Sequence, residues 1–300
     1  MSLKIVSVGE VLWDFLPDGR HLGGAPANFA YHVHTLGAET SLISRIGKDT
    51  AGDDILNQFH SWRLPAHLVQ GDAAAETGRV TVTLDAAGVP QFTIHQLAAW
   101  DFLELTAPAL DAARQANAIC FGSLAQRRIE SRQAIQQLVA ATSPEALRIF
   151  DINLRQQFYS REVIVKSFEL ANVIKLNDTE LTTITQMFDL NPRLETAVEE
   201  LARRFDLRTI AVTCGPAGSY LFQKGRWSHL RSKTIEVADT VGAGDAFNAA
   251  LTVGLASGMD LEQVHQLANE AASFVCTQSG ATPAMPETLV RQFSKASAHS

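Results

Sequence analysis

Cysteine is scarce. Cys120, Cys214 and Cys276 are the only three in 300 residues, far apart and each in apolar surroundings. There is no CxxC pair and no His/Cys cluster, so neither a zinc site nor a disulfide framework is expected, and the thiols read as buried and reduced. Positive charge is also short. Lys and Arg number 25 against 32 Asp and Glu, a net charge of −7, and the pI is about 5.7. A nucleic-acid surface usually needs clustered Lys and Arg, so that class is not expected. No run of 18 apolar residues occurs, which excludes a helical membrane span. The first apolar run, Ile5–Val8, is too short for a signal-peptide core and is soon followed by Glu10 and Asp14. A cytoplasmic location is the expectation.

Apolar residues make up 46% and charged residues 19%. A chain of this length and composition can bury roughly three-quarters of its unfolded surface and needs no staples. Short β-rich apolar runs alternate with helical patterns. Strands are predicted at Lys4–Val8, Thr40–Ile46, Ala118–Phe121, Arg148–Asp151, Val173–Leu176, Thr209–Thr213 and Gly218–Phe222. Helices are predicted at Ser131–Thr142, Arg161–Leu170, Leu194–Phe205 and Leu261–Gln278. Near-continuous apolar strands between helices imply a mostly parallel sheet covered on both faces. Thr77–Leu84 and Gln91–His95 alternate with period two around the turn-like Asp85–Gly88, and Val11–Pro17 is strand-like too. A small antiparallel sheet projecting from the α/β body follows, of the kind that serves as a lid. The polar end, Phe293–Ser300, is expected to fray.

The densest chemistry lies in Asp239-Thr240-Val241-Gly242-Ala243-Gly244-Asp245-Ala246-Phe247. A strand-like run, Thr234–Ala238, leads in. Phe247, Ala250, Leu251, Gly254 and Leu255 then recur at helical spacing, so the Gly-Ala-Gly tract opens a helix. Its first N–H groups lack intrahelical partners and carry the positive end of the dipole, which makes an anion site. Asp245 beside a bound phosphate is electrostatically unfavourable unless it acts, and taking a proton from an attacking hydroxyl would be such an act. The plain alternative is that Asp239 or Asp245 caps the helix and the glycines form a tight turn. The string is neither a Walker A loop nor a GxGxxG turn.

This string resembles the C-terminal signature of the ribokinase-like (PfkB) carbohydrate kinases. Four further blocks agree: Gly23-Gly24-Ala25-Pro26-Ala27-Asn28 with the helix to Leu36 and Gly47-Lys48-Asp49; Leu176-Asn177-Asp178-Thr179-Glu180; Thr213-Cys214-Gly215-Pro216-Ala217-Gly218; and Ser279-Gly280-Ala281-Thr282-Pro283. The resemblance runs from about residue 4 to 287. It implies a three-layer α/β sandwich with a mostly parallel sheet, one kinase domain over 1–300, and a β-lid built from about 10–22 and 75–100. It implies that Asp245 is the base, with the backbone of Gly242, Ala243 and Gly244 as anion hole. Asp14, Gly24 and Asn28 match sugar-binding positions, although a strand-end turn and a helix cap are the bland readings of the first and last. Asn177 and Glu180 match an element that organises Mg2+ and phosphates, with Glu180 acting on the metal through water; an Asx-turn and an ordinary helix-start Glu are the alternative. Thr213, Gly215 and Gly218 match the ATP phosphate and ribose loop, and Asn269 a position near the base. Carbonyls of Asp239, Val241, Val275, Gln278, Gly280 and Ala284 match a monovalent-cation site, with K+ the expected ion.

Gly9–Asp14, Trp100-Asp101, Phe121–Arg127 and Asp151–Arg155 look like the bacterial fructokinase branch. By that resemblance Gln126 sits at the sugar's far end and Arg155 near substrate or phosphate, unless Arg155 pairs with Asp151. Trp13, Phe92 and Trp100 are candidates for stacking on a sugar or for the core. The expected reaction is transfer from Mg-ATP to a primary hydroxyl of a small sugar, D-fructose first. Alternatives are 2-keto-3-deoxygluconate, a nucleoside or an aminoimidazole riboside as acceptor, or a non-catalytic binding protein on the same fold. The resemblance also allows a homodimer through the lid. His32 and His34, two apart on a helix, face different directions and read as ordinary helix residues.

Overall fold

The computed structural model describes residues 3–16, 19–84 and 90–297. Pro17, the expected turn at Asp85–Gly88 and the last three residues lie outside them. Every predicted strand forms except one. Five of them, β1 (Lys4–Val8), β8 (Ala118–Gly122), β9 (Leu147–Asp151), β10 (Val173–Asn177) and β11 (Thr209–Thr213), run side by side in parallel with β4 (Glu39–Gly47) and β5 (Val69–Asp72). β12 (Ser219–Gln223) and β13 (Arg226–Leu230) add antiparallel at the far edge, giving the order β13-β12-β11-β10-β9-β8-β1-β4-β5.

Alternation along these strands sends side chains to two cores. Ile119, Phe121, Phe150, Ile174 and Ile210 pack on one face under α3 (Ala107–Gln115), α4 (Ile129–Ala140), α5 (Arg161–Leu170), α6 (Asp178–Phe188) and α7 (Leu194–Phe205). Ala118, Cys120, Ile149, Val173 and Ala211 pack on the other under α1 (Ala25–Thr35), α8 (Ala243–Ala256), α9 (Leu261–Cys276) and α10 (Glu287–Ser297). The result is the three-layer sandwich that the apolar runs imply.

The second sheet has the order β3-β2-β6-β7, from β2 (Leu12–Leu16), β3 (Gly19–Gly23), β6 (Gly78–Leu84) and β7 (Pro90–Ile94). β6 and β7 form the expected antiparallel hairpin, but β2 joins β6 in parallel. Beneath this sheet Val11 and Trp13 pack with Ile55 and Phe59 of α2 (Thr50–Ser61).

The exception is Thr234–Ala238, which is irregular. It pairs with no strand among the described residues. It crosses instead towards α8, and Ala238 N–H is held by the carbonyl of Cys276 at 2.9 Å.

Candidate active site

The C-terminal ends of β1, β10 and β11 open on a cleft of about 1300 Å³. Ligands of open α/β sheets bind at such ends. The volume exceeds that of a pocket for one small molecule, so two substrates fit together. The small sheet covers one end, where Trp13, Asp14, Val80, Phe92 and Ile94 line the cleft.

α8 starts in the middle of the cleft. Gly242 is its N-cap, at φ +78°, and no side chain caps the helix. A Cβ on Gly242 would lie 2.6 Å from the Cα of Ala281, so only glycine lets the two loops touch. The capping alternative therefore falls. The Asp239 carboxylate accepts from the N–H groups of Val241 and Gly280, at 3.0 and 3.2 Å, and ties the two loops together. The Asp245 carboxylate accepts from Asn28 Nδ2 at 2.9 Å. Ala243 N–H makes only a long 3.4 Å bond to Thr240, so the helix start still offers N–H groups to an anion.

Sequence reasoning passed over Lys175, although a lone Lys in the apolar run Val-Ile-Lys-Leu-Asn was the available signal. It is buried, lines the cleft and pairs with Asp151 at 3.2 Å. A Cβ on Gly244 would lie 3.1 Å from Lys175 Nζ, which places a cation against the anion site. Despite burial, the charges of Asp151, Glu180 and Asp245 raise its pKa. Asp151 also accepts from Asn248 Nδ2 at 3.3 Å. Arg155 is thus not the partner of Asp151; it is exposed and lines the cleft.

Burial lifts three carboxyls at this floor. Asp245 rises to about 6, with Asp151 adding to the rise and Asn28, Lys175 and Arg155 opposing it. Asp14 rises to about 6 against the pull of His21 and Arg155. Glu10 rises to about 7, and its Oε2 has no partner among the described residues. Glu10 is a second cleft residue that its place in a fructokinase-like string did not single out.

Asp14, Gly24, Asn28 and Arg155 all line the lid end. Gly24 has φ +106°, and a Cβ there would strike the backbone of Glu10 and Val11. Asn28 is not a cap: it lies one turn inside α1, whose N-cap is Gly24. Its Oδ1 is buried with no partner among the described residues, an acceptor left for a hydroxyl donor.

Gln126 departs from expectation. It is wholly buried, does not line the cleft, and bonds to Gly122, Ser167 and Gln136. Its amide holds β8 to α5, which leaves nothing for a sugar. Trp100 is likewise core, stacked under Arg127 at 4.0 Å, whereas Trp13 and Phe92 reach the cleft.

At the other end Asn177, Thr213, Gly215, Gly218 and Asn269 line the cleft. Glu180 does not. Asn177 and Glu180 form a reciprocal capping box on α6, and the second Glu180 oxygen accepts Leu154 N–H at 2.8 Å. Its carboxylate positions backbone rather than facing the cleft, so the water-mediated metal role is not supported by its geometry. Among the described residues no group of three or more His, Cys, Asp or Glu is placed to hold a metal. Of the carbonyl set, Asp239, Val241 and Gly280 line the cleft; Val275, Gln278 and Ala284 do not. All three cysteines are free, and only Cys120 is fully buried.

Known proteins resemble this chain in sequence and fold. The model of the pfkB family carbohydrate kinases matches residues 17–288. A fructokinase of Klebsiella pneumoniae is 31% identical over 304 residues, spanning 95% of this chain and 97% of its own. A protein of Pyrococcus horikoshii named as a sugar kinase is 30% identical over 306 residues, spanning 95% and 94%. Its crystal structure superposes with a TM-score of 0.82 at 27% identity over 98% of each chain. A fructokinase of Xylella fastidiosa with bound ATP superposes with a TM-score of 0.86 at 20% identity, over 99% of this chain and 100% of the other.

Proposed function

The chain belongs to the pfkB family of carbohydrate kinases, and from that premise we propose that this sugar kinase phosphorylates a primary hydroxyl of D-fructose. The observation that carries the reading is the 2.9 Å bond between Asn28 and Asp245. It joins the lid end of the cleft to the start of α8, so a hydroxyl held by Asn28 lies beside a carboxylate and an anion site at once. The fructokinase names among relatives of about 30% identity favour fructose as the acceptor.

ATP occupies the end lined by Thr213, Gly215, Gly218 and Asn269, and the sugar the end lined by Asp14, Gly24, Asn28 and Arg155. Asp245 takes the hydroxyl proton. The hydroxyl oxygen bonds to the γ-phosphorus while the bond to the ADP oxygen breaks. The N–H groups of Gly242, Ala243 and Gly244, with Lys175, hold the charge on the transferred group. Mg2+ keeps most of its ligands as water and phosphate oxygen and needs few from the protein, so Asn177, which lines the nucleotide end, would help to hold it. When bound it neutralises phosphate charge. The joined loops at Asp239 and Gly280 suit a monovalent cation held by carbonyls, K+ first. We further assign residues 1–300 to one kinase domain, cytoplasmic in location, pairing as a homodimer through the lid.

The test is ADP release with Mg-ATP and K+ across fructose, ribose, 2-keto-3-deoxygluconate, adenosine and aminoimidazole riboside, with Asp245→Ala as control. Release with fructose alone, reduced about 10²–10⁴-fold in the variant, is expected. Release with another acceptor would overturn fructose and keep the mechanism. No release with any would overturn both.

A further inference from the structure

His32 looks like an ordinary helix residue in the sequence, and its setting is not ordinary. It is fully buried, one helical turn beyond Asn28 on the same face of α1. Its Nε2 lies 2.9 Å from the carbonyl oxygen of Ala281. A carbonyl can only accept, so Nε2 carries the hydrogen and Nδ1 is left as a bare acceptor. Nδ1 has no partner among the described residues. A buried ring with an unmatched nitrogen is less stable in that position than a leucine or phenylalanine would be. Such a residue calls for an explanation beyond packing.

Ala281 supplies it. Ala281 lies in the run Ser279–Thr282, which lines the cleft. It also packs on Gly242 so closely that no Cβ fits between them. The contacts therefore run from His32 to the Ala281 carbonyl, and from Ala281 to the residue that opens the anion site. Asn28 grips Asp245 from one turn earlier. One face of α1 thus holds both sides of the α8 start. Burial lowers the His32 pKa to about 4, so the ring stays neutral and its single hydrogen stays on Nε2.

We propose that His32 is a positioning residue, whose Nε2–H fixes the Ala281 loop against Gly242 and so sets the phosphate-binding geometry of the nucleotide end. The proposal rests on the kinase reading for the identity of the ligand, and its test separates the two. Mg-ATP would be titrated calorimetrically into the wild-type protein, H32F and H32Q, without sugar. kcat and both KM values would then be measured with whichever acceptor is turned over. H32F keeps a ring and loses the donor; in H32Q the amide nitrogen reaches the place of Nε2. About tenfold weaker Mg-ATP binding is expected in H32F, with recovery in H32Q and an unchanged sugar KM. If H32F does not fold, H32N, whose amide is too short to reach Ala281, carries the same expectation. Equal nucleotide affinity in wild type and H32F, an equal loss in H32F and H32Q, or a loss confined to melting temperature would overturn the proposal. Wild type that binds Mg-ATP without turnover, with variants in the expected order, would sink the kinase reading and leave this one standing. Wild type that binds no Mg-ATP would overturn both.

Discussion

Asp245→Asn should stabilise the protein while lowering its turnover about 10²–10⁴-fold. Asp245 is raised from 3.8 to about 6, chiefly by burial and secondly by the charge of Asp151. Such a rise corresponds to roughly 3 kcal/mol against the ionised form. Water in the cleft screens part of it, leaving about 1–2 kcal/mol. Asparagine keeps the shape and can still accept from Asn28 through its own oxygen. The sign follows from linkage. A carboxyl raised on folding favours the folded state only while it is protonated, so that contribution is present below pH 3.8 and is lost as pH rises through about 6. The variant should therefore gain most above pH 6 and nothing near pH 4. At roughly 1.5–2 °C per kcal/mol for a chain of this size, the melting temperature should rise by about 2–4 °C at pH 7.5. Paired melting curves of wild type and variant at pH 4.5, 6 and 7.5 measure it. A variant less stable than wild type at pH 7.5, or a gain that does not change with pH, would refute the argument that Asp245 is held ionised at a cost.

The same carboxyl should set the pH profile: as a base it works ionised, so kcat should rise with pH through about 6 and level off, read from initial rates between pH 5 and 8. Asn28→Ala should raise the apparent KM for sugar with little effect on that for ATP, because Asn28 lines the lid end; an unchanged sugar KM would reduce it to a helix residue. Lys175→Met should lower kcat by about tenfold or more, through loss of a cation beside the transferred group, with ATP still bound in a calorimetric titration. Gln126→Leu should lower the melting temperature and leave both KM values alone, since its amide is spent between β8 and α5.

The parallel sheet was legible because its strands are apolar on both faces, as Ala118–Phe121 and Thr209–Thr213 show. The helix opened by Gly242 and the position of Asp245 were legible from glycine and spacing alone. Thr234–Ala238 misled because strand propensity is local, while this segment is held by the end of α9, with Ala238 N–H on the carbonyl of Cys276. Gln126 misled because a polar residue beside site residues reads the same whether it faces a ligand or a neighbouring helix. Lys175 and His32 were hidden for the opposite reason. Each lies inside an ordinary strand or helix pattern, and its partners, Asp151 and Ala281, are 24 and 249 residues away along the chain.

The order of the lining residues along the chain carries a consequence for how such kinases can diversify. The lid end of the cleft is drawn from residues 10–155, and the opposite end from residues 175–282. A single exchange of chain between relatives, made in the α5 region, would replace one substrate's surroundings and inherit the other's whole. Several contacts cross that seam, among them Asn28 to Asp245, His32 to Ala281 and Asp151 to Lys175. The first two leave from α1, so a chimera that keeps these six residues keeps three of the ties between its halves. Acceptor preference could then drift in the first half of the gene while phosphate handling is preserved in the second.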